Sequence, residues 1–204
     1  MRSYYILTLA LLSANASAAN LVYSNLGPSD GYDPNVGYTV SGTSSPVSIY
    51  QYVAMSFVST RSEPLASIDV ALVTITGGDF RVEFRGADSG GGVGSLLESW
   101  YVPSAPSSAS GSLVHLPSTT AASLAFGTKY WVVAMVPTPS SSSFGAWQLN
   151  TTSNTGEYAL GVPAGLVYKN GPRSAFRVES VPEPATLVAF SAAVAGAFLR
   201  RRKA

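Results

Sequence analysis

Residues Leu65 to Arg85 read LASIDVALVTITGGDFRVEFR, and the reading of this stretch decides the fold. In Asp79–Arg85 the apolar residues Phe80, Val82 and Phe84 alternate with Arg81, Glu83 and Arg85. Period-two alternation is the signature of a strand with one buried and one solvated face. The polar face offsets its own charge, because two arginines flank one glutamate. The preceding run, Leu65–Thr76, alternates Ile68, Val70 and Leu72 against Asp69 and Ala71, and it reads as a second strand. Thr76-Gly77-Gly78-Asp79 between them carries the glycines of a tight hairpin turn. The expectation is an antiparallel pair.

Further strands are expected at residues 51–59, 95–102, 111–116, 129–136, 144–149 and 175–179. Lys129–Val136 (KYWVVAMV) is apolar on both faces and predicts a central strand covered on both sides. Gly-, Pro- and Ser-rich loops separate these runs: GADSGGGVG at 86–94, PSAPSSASG at 103–111 and PTPSSSS at 137–143. No part of this body shows a 3.6-residue apolar period. The fold class predicted is all-β, an antiparallel two-sheet sandwich of jelly-roll type.

The two ends differ from this body. Met1-Arg2, the apolar run Tyr4–Leu12 and the small residues Ala16-Ser17-Ala18 have the layout of a secretory signal peptide. Cleavage is expected after Ala18, with Ala16 as second choice. A run of about nine apolar residues is too short to cross a bilayer of roughly 30 Å. At the other end, Leu187–Leu199 (LVAFSAAVAGAFL) is uncharged and is followed by Arg200, Arg201, Arg202 and Lys203. As a helix of about 14 residues it would cover roughly 21 Å, a short and temporary membrane anchor. The positive-inside rule leaves the basic tail in the cytoplasm while the signal peptide sends the body out. The domains expected are therefore a signal peptide (1–18), an extracellular β-sandwich (19–180) and a C-terminal signal (181–204).

Val181, Pro182, Glu183 and Pro184, then the apolar run, then the Arg/Lys cluster, resemble the PEP-CTERM sorting signal in order and position. The prolines hold the segment extended, accessible to an enzyme cleft. The resemblance implies an exosortase as processing partner and transient membrane anchoring through the C-terminal helix. It also implies export to the surface or matrix of a Gram-negative bacterium, with association to exopolysaccharide or biofilm. The body is similar to choice-of-anchor R type extracellular modules. That resemblance rests on Met55-Ser56-Phe57, the Phe80–Arg85 strand with its glycine-rich loop, Leu124–Trp131 and Ala175–Val178. A Pro-Gly usual after the third strand is replaced here by Gly92-Val93-Gly94.

Composition narrows the function. The body holds seven Lys/Arg against ten Asp/Glu, about −3, so the positive balance of the whole chain sits in its tail. No basic patch exists for nucleic acid. The absence of cysteine excludes disulfides and thiol nucleophiles. His115 is the sole histidine. With Asp69, Asp79 or Asp88 it formally completes part of a catalytic triad, but no G-x-S-x-G elbow supplies the serine. One histidine and no cysteine give no zinc site. Glu83 and Glu98 are a glycosidase pair by residue type alone. Asp30, Asp33 and Asn35 offer oxygen ligands for calcium without the loop spacing that calcium loops need, and read as an Asx turn. Gly90–Gly94 lacks the lysine and helix of a phosphate loop. Neither a catalytic residue, a metal nor a cofactor is therefore expected. The leading expectation is a non-enzymatic surface or matrix protein. The alternative is a carbohydrate-binding module in which Trp100 and Trp147 stack on sugar rings, with Trp131 buried.

Overall fold

The computed structural model describes residues 19–107, 112–162 and 164–182. The expected signal peptide with Ala16 and Ala18, the motif residues Glu183 and Pro184, the apolar run and Arg200–Lys203 lie outside the described residues. No helix among the described residues is long and apolar enough to cross a membrane.

The described chain is built from antiparallel strands: β1 (Asn20–Ser24), β2 (Tyr32–Ser41), β3 (Tyr52–Val58), β4 (Leu65–Val70), β5 (Leu72–Thr76), β6 (Phe80–Ala87) and β7 (Val93–Val102). They continue as β8 (Val114–Pro117), β9 (Lys129–Met135), β10 (Phe144–Asn150), β11 (Thr155–Val162), β12 (Gly165–Pro172) and β13 (Phe176–Ser180). One layer is a six-stranded sheet in the order β12-β11-β3-β9-β6-β7. The other is made of β1-β13-β4-β8 and β2-β10-β5, which meet where β4 runs on into β5. At that junction Gln148 donates its backbone N–H to Ala71, and Ala71 donates to Ala175.

The inward rows of the two layers form one core. Val53, Met55 and Phe57, Phe80, Val82 and Phe84, and Tyr130, Val132 and Ala134 pack against Ile68, Val70, Leu72, Trp147, Phe176 and Val178. The alternation of β6 is therefore realised, with Phe80, Val82 and Phe84 inside. Strand β9 lies between β3 and β6 with both faces buried, as its sequence predicts.

Two expectations need correction. Leu65–Thr76 is two strands, because the pairing partners change at Ala71, from β13 and β8 on β4 to β10 on β5. Gly77 and Gly78 do not close a hairpin: β5 pairs with β10, whereas β6 pairs with β7 and β9. The turn carries the chain from one layer to the other, with φ of +75° and +146° at its two glycines. The glycine signal is the same for both kinds of turn, so the sequence alone does not separate them. Strand β2 was not anticipated, since Pro34, Asn35 and Gly37 read as loop. It is an edge strand, where a proline is tolerated. Its pairing with β10 is irregular between Gln148 and Asn150.

Candidate functional site

The outward face of the six-stranded sheet carries a second, smaller cluster: Ala54, Trp131, Val133 and Ala159, all fully or almost fully buried. Val93 of β7 and Leu166 of β12 both pack on it. These strands are the opposite edges of the sheet, about 24 Å apart if six strands lay flat at ~4.8 Å spacing. The bulged end of the β6–β7 hairpin therefore folds over the outward face toward β12 and makes that face concave there. Tyr168 fastens the two edges, since its hydroxyl accepts the Val93 N–H at 2.9 Å while its ring meets Trp131 edge-on. Trp131 donates Nε1–H to the Gly91 carbonyl at 3.2 Å, and the Lys129 ammonium stands 4.9 Å from its ring centre.

A cavity of about 280 Å³ opens in this concave face, lined by Tyr50, Tyr52, Arg85, Val93, Val133, Met135 and Leu166. Tyr52 is laid flat by its cross-strand partner Gly161. A β-carbon at Gly161 would sit against the ring, nearly equidistant from Cε1, Cζ and Cε2. Only the face of a ring gives that geometry, so glycine backs one side of Tyr52. The Tyr50 ring lies 5.5 Å away at 43°. Burial pushes both tyrosine hydroxyls up from their ordinary value, so they stay neutral.

Beside the tyrosines runs the outward row of β6. Glu83 accepts Arg81 at 2.7 Å through Oε1 and the Arg85 Nε–H at 2.6 Å through Oε2. Arg85 also donates to the Gly94 carbonyl at 2.9 Å. Glu83 faces outward as the alternation predicts, yet it is 1% exposed, because the two guanidinium groups cover it. The expectation of a solvated carboxylate is corrected accordingly. The group of three carries a net charge of +1 in a body of about −3.

The other acidic candidates are committed elsewhere. Glu98 and Glu83 lie on opposite faces of one sheet: Glu98 pairs with inward-facing Phe84 and is buried. They cannot flank one glycosidic bond. Burial pushes the Glu98 carboxyl up, but Ser118, Thr119 and Thr120 together donate enough hydrogen bonds to hold it below its ordinary value. His115 does stand beside an acid: its Nδ1 is 2.7 Å from Asp69 Oδ1, while Arg177 holds Oδ2 at 2.8 Å. An ionised carboxylate only accepts, so Nδ1 carries the proton. Asp69 was expected on a solvated face and is buried between these two partners, cross-strand on either side. The next serine on that face, Ser67, donates to Glu179 at 3.2 Å.

Arg177 also pairs with Asp30 at 2.8 Å, and Asp33 accepts the Asn35 N–H at 2.9 Å in an Asx turn. Asp88 accepts the N–H groups of Gly90 and Gly92. Among the described residues no group of three His, Cys, Asp or Glu is placed to hold a metal.

Of the expected stacking aromatics, Trp147 is fully buried and donates Nε1–H to the Ala175 carbonyl at 2.9 Å. It presents no ring to solvent. Trp100 is half-buried against the core with Nε1–H on the Pro117 carbonyl at 2.8 Å. Tyr50 and Tyr52, which sequence reasoning passed over, form the aromatic lining instead. The signal that could have found them is Gly161 paired with an aromatic residue, but that pairing needs the register.

Val181 and Pro182 follow β13 directly. Ser180 is fully buried with its hydroxyl proton on the Glu63 carboxylate, and Val181 donates its N–H to the Pro64 carbonyl at 2.8 Å. Residues 180–203 match the PEP-CTERM protein-sorting motif. No curated protein matches the chain. The motif marks the chain as an exported substrate of exosortase, destined for the cell surface or the extracellular space.

Proposed function

We propose that this chain is a non-enzymatic protein of the surface or extracellular matrix of a Gram-negative bacterium, associated there with exopolysaccharide. Val181, Pro182, Glu183 and Pro184 serve as the recognition segment. Leu187–Leu199 with Arg200–Lys203 act as a transient anchor until the exosortase has acted. The observation that carries the reading is the sorting motif at residues 180–203. The use made of the ionisable groups supports it: Glu83 and Glu98 are closed off by their own partners on opposite faces of one sheet, and Asp69 is shared between His115 and Arg177.

Deleting residues 181–204 tests it. The deleted chain is expected to be exported but to lose exosortase-dependent processing, seen by fractionation and mass spectrometry beside an exosortase-null strain. Processing that survives either change overturns the reading.

A second reading, a carbohydrate-binding module sorted by the same signal, is favoured by one feature: the glycine-backed Tyr52 ring in a concave, water-open face. Binding sites of this kind combine an apolar platform with a few fixed polar groups. Tyr50 and Tyr52 take the place first given to Trp100 and Trp147. A glycan array with the full chain in mild detergent checks it, and silence across the array removes it.

A further inference from the structure

We infer that the concave face is a subsite for one acidic pyranose, its ring lying on Tyr52 and its carboxylate on Arg85. The inference rests on the carbohydrate-binding reading and names the class of sugar. Three features of the site point the same way.

The first is the shape of the platform. Gly161 backs one face of Tyr52, which leaves the opposite face free of the sheet, and Tyr52 lines the cavity. Tyr50, tilted 43° beside it, makes a wall. The cavity, at about 280 Å³, lies near the lower end of ligand sites, ~300–1,000 Å³. It fits a single ring better than a chain in cross-section. A pyranose presents an apolar face of C–H groups, which an aromatic ring covers while the sugar hydroxyls point outward.

The second is the fixed donor. Arg85 spends Nε on Glu83 and one terminal nitrogen on Gly94. A guanidinium has five N–H donors in a planar fork, so donors remain after those two bonds. The fork is held still by its existing bonds, and such a fork matches a carboxylate.

The third is charge. Glu83 neutralises one of its two arginines, and the group keeps +1. Lys129 and Glu157, nearby on the same face, pair with each other. The Asp88 Oδ1 that could oppose an anion is turned into its own loop, accepting two N–H groups. An uncharged sugar would leave the extra cation unmatched, whereas a uronate matches it.

The probes are oligogalacturonate and its fully methyl-esterified form, which share ring, linkage and hydroxyls and differ in charge. Calorimetric titration of the full chain in mild detergent at low salt is expected to show the free acid bound at least tenfold more tightly. Raising the salt should narrow that gap. Arg85→Gln should bring the two ligands to similar affinity, and Tyr52→Ala should abolish binding of both. Tyr52→Phe keeps the ring and should bind as the parent does. If Tyr52→Ala fails to fold, Tyr50→Leu serves as the platform variant and should weaken both ligands several-fold. Ile75→Ala, on the outward face of the other layer, should change nothing.

Equal binding of acid and ester overturns the acidic preference and leaves the carbohydrate reading standing. Binding of neither overturns the uronate subsite, while the carbohydrate reading falls only with silence across the glycan array. Binding unaffected by the Tyr50, Tyr52 and Arg85 changes shows that the site lies elsewhere.

Discussion

Gly145 sits in β10 with strands on both sides, and a β-carbon there would fall against the Val73 carbonyl and the Phe80 ring. The carbonyl belongs to a ladder and cannot retreat. Gly145→Ala is expected to cost about 1–3 kcal/mol, the usual range for overpacking, as read from urea unfolding. Glu98 gives a different prediction. Its carboxyl is held below the ordinary 4.5 by the Ser118 and Thr119–Thr120 donors despite burial. A carboxylate depressed in the folded state adds stability that is complete above its unfolded value and is lost as pH falls through the folded one. Glu98→Gln should therefore be less stable than the parent by about 1–3 kcal/mol near neutrality. The gap should close as pH drops below the carboxylate range. A pH-independent gap would mean that Glu98 acts through packing alone. At this scale the sequence showed which residues alternate, and therefore that Phe80, Val82 and Phe84 form core. It did not show that Asp69 and Glu83 would be buried on the outward faces. Alternation gives direction, whereas cover depends on where long side chains fold: Arg81 and Arg85 close over Glu83 from its own strand, and Arg177, over 100 residues away, covers Asp69 from across the sheet.

The Gly77-Gly78 turn separates what was readable from what was not at the scale of elements. Both flanking strands were legible from period-two alternation, and so was the central position of β9 from its doubly apolar pattern. Their partners were not, because pairing is set by the register of whole sheets. Strands β1, β2, β11 and β12 escaped notice: they are short, or they carry Pro34, Gly37, Gly156, Gly161 and Gly171, which read as loop. Three of these four are sheet edges, where an incomplete hydrogen-bonding partner set tolerates such residues. The crossover itself makes a prediction. A φ of +146° at Gly78 lies in a region that side-chain-bearing residues avoid. Gly78→Ala should lower stability by roughly 1–3 kcal/mol, the range for such strain. Gly127→Ala makes a useful comparison, because its φ of +74° falls in the milder left-handed region and a β-carbon there meets nothing within 4 Å. A smaller urea-midpoint shift for Gly127→Ala is expected. Equal shifts would mean that the Gly78 backbone relaxes.

Over the whole molecule, the first described strand and the last lie side by side. Asn20 of β1 pairs with Ser180 of β13, and β13 fills the gap between β1 and β4. Glu63 ties the same corner: it accepts the Asn20 amide at 3.1 Å and the Ser180 hydroxyl, and these bonds hold its carboxyl below the ordinary range. The sorting motif therefore begins where the core ends, with Val181 still bonded to Pro64. Two truncations separate the body from its signal. A chain ending at Val181 keeps every strand and should melt within about 2 °C of the parent. A chain ending at Val178 loses Ser180, the Glu63 corner and the end of the β13 pairing. A loss of about 2–3 kcal/mol corresponds to a Tm drop of roughly 5–10 °C in a body this size. The same geometry constrains processing. An exosortase cut at or before Ser180 would strip β13 of its terminal pairs, so the mature C-terminus is expected beyond Val181. Mass spectrometry of the protein recovered from the exosortase-bearing host reads that position directly. A terminus at Ser180 or earlier would show that this edge of the sandwich is dispensable after export.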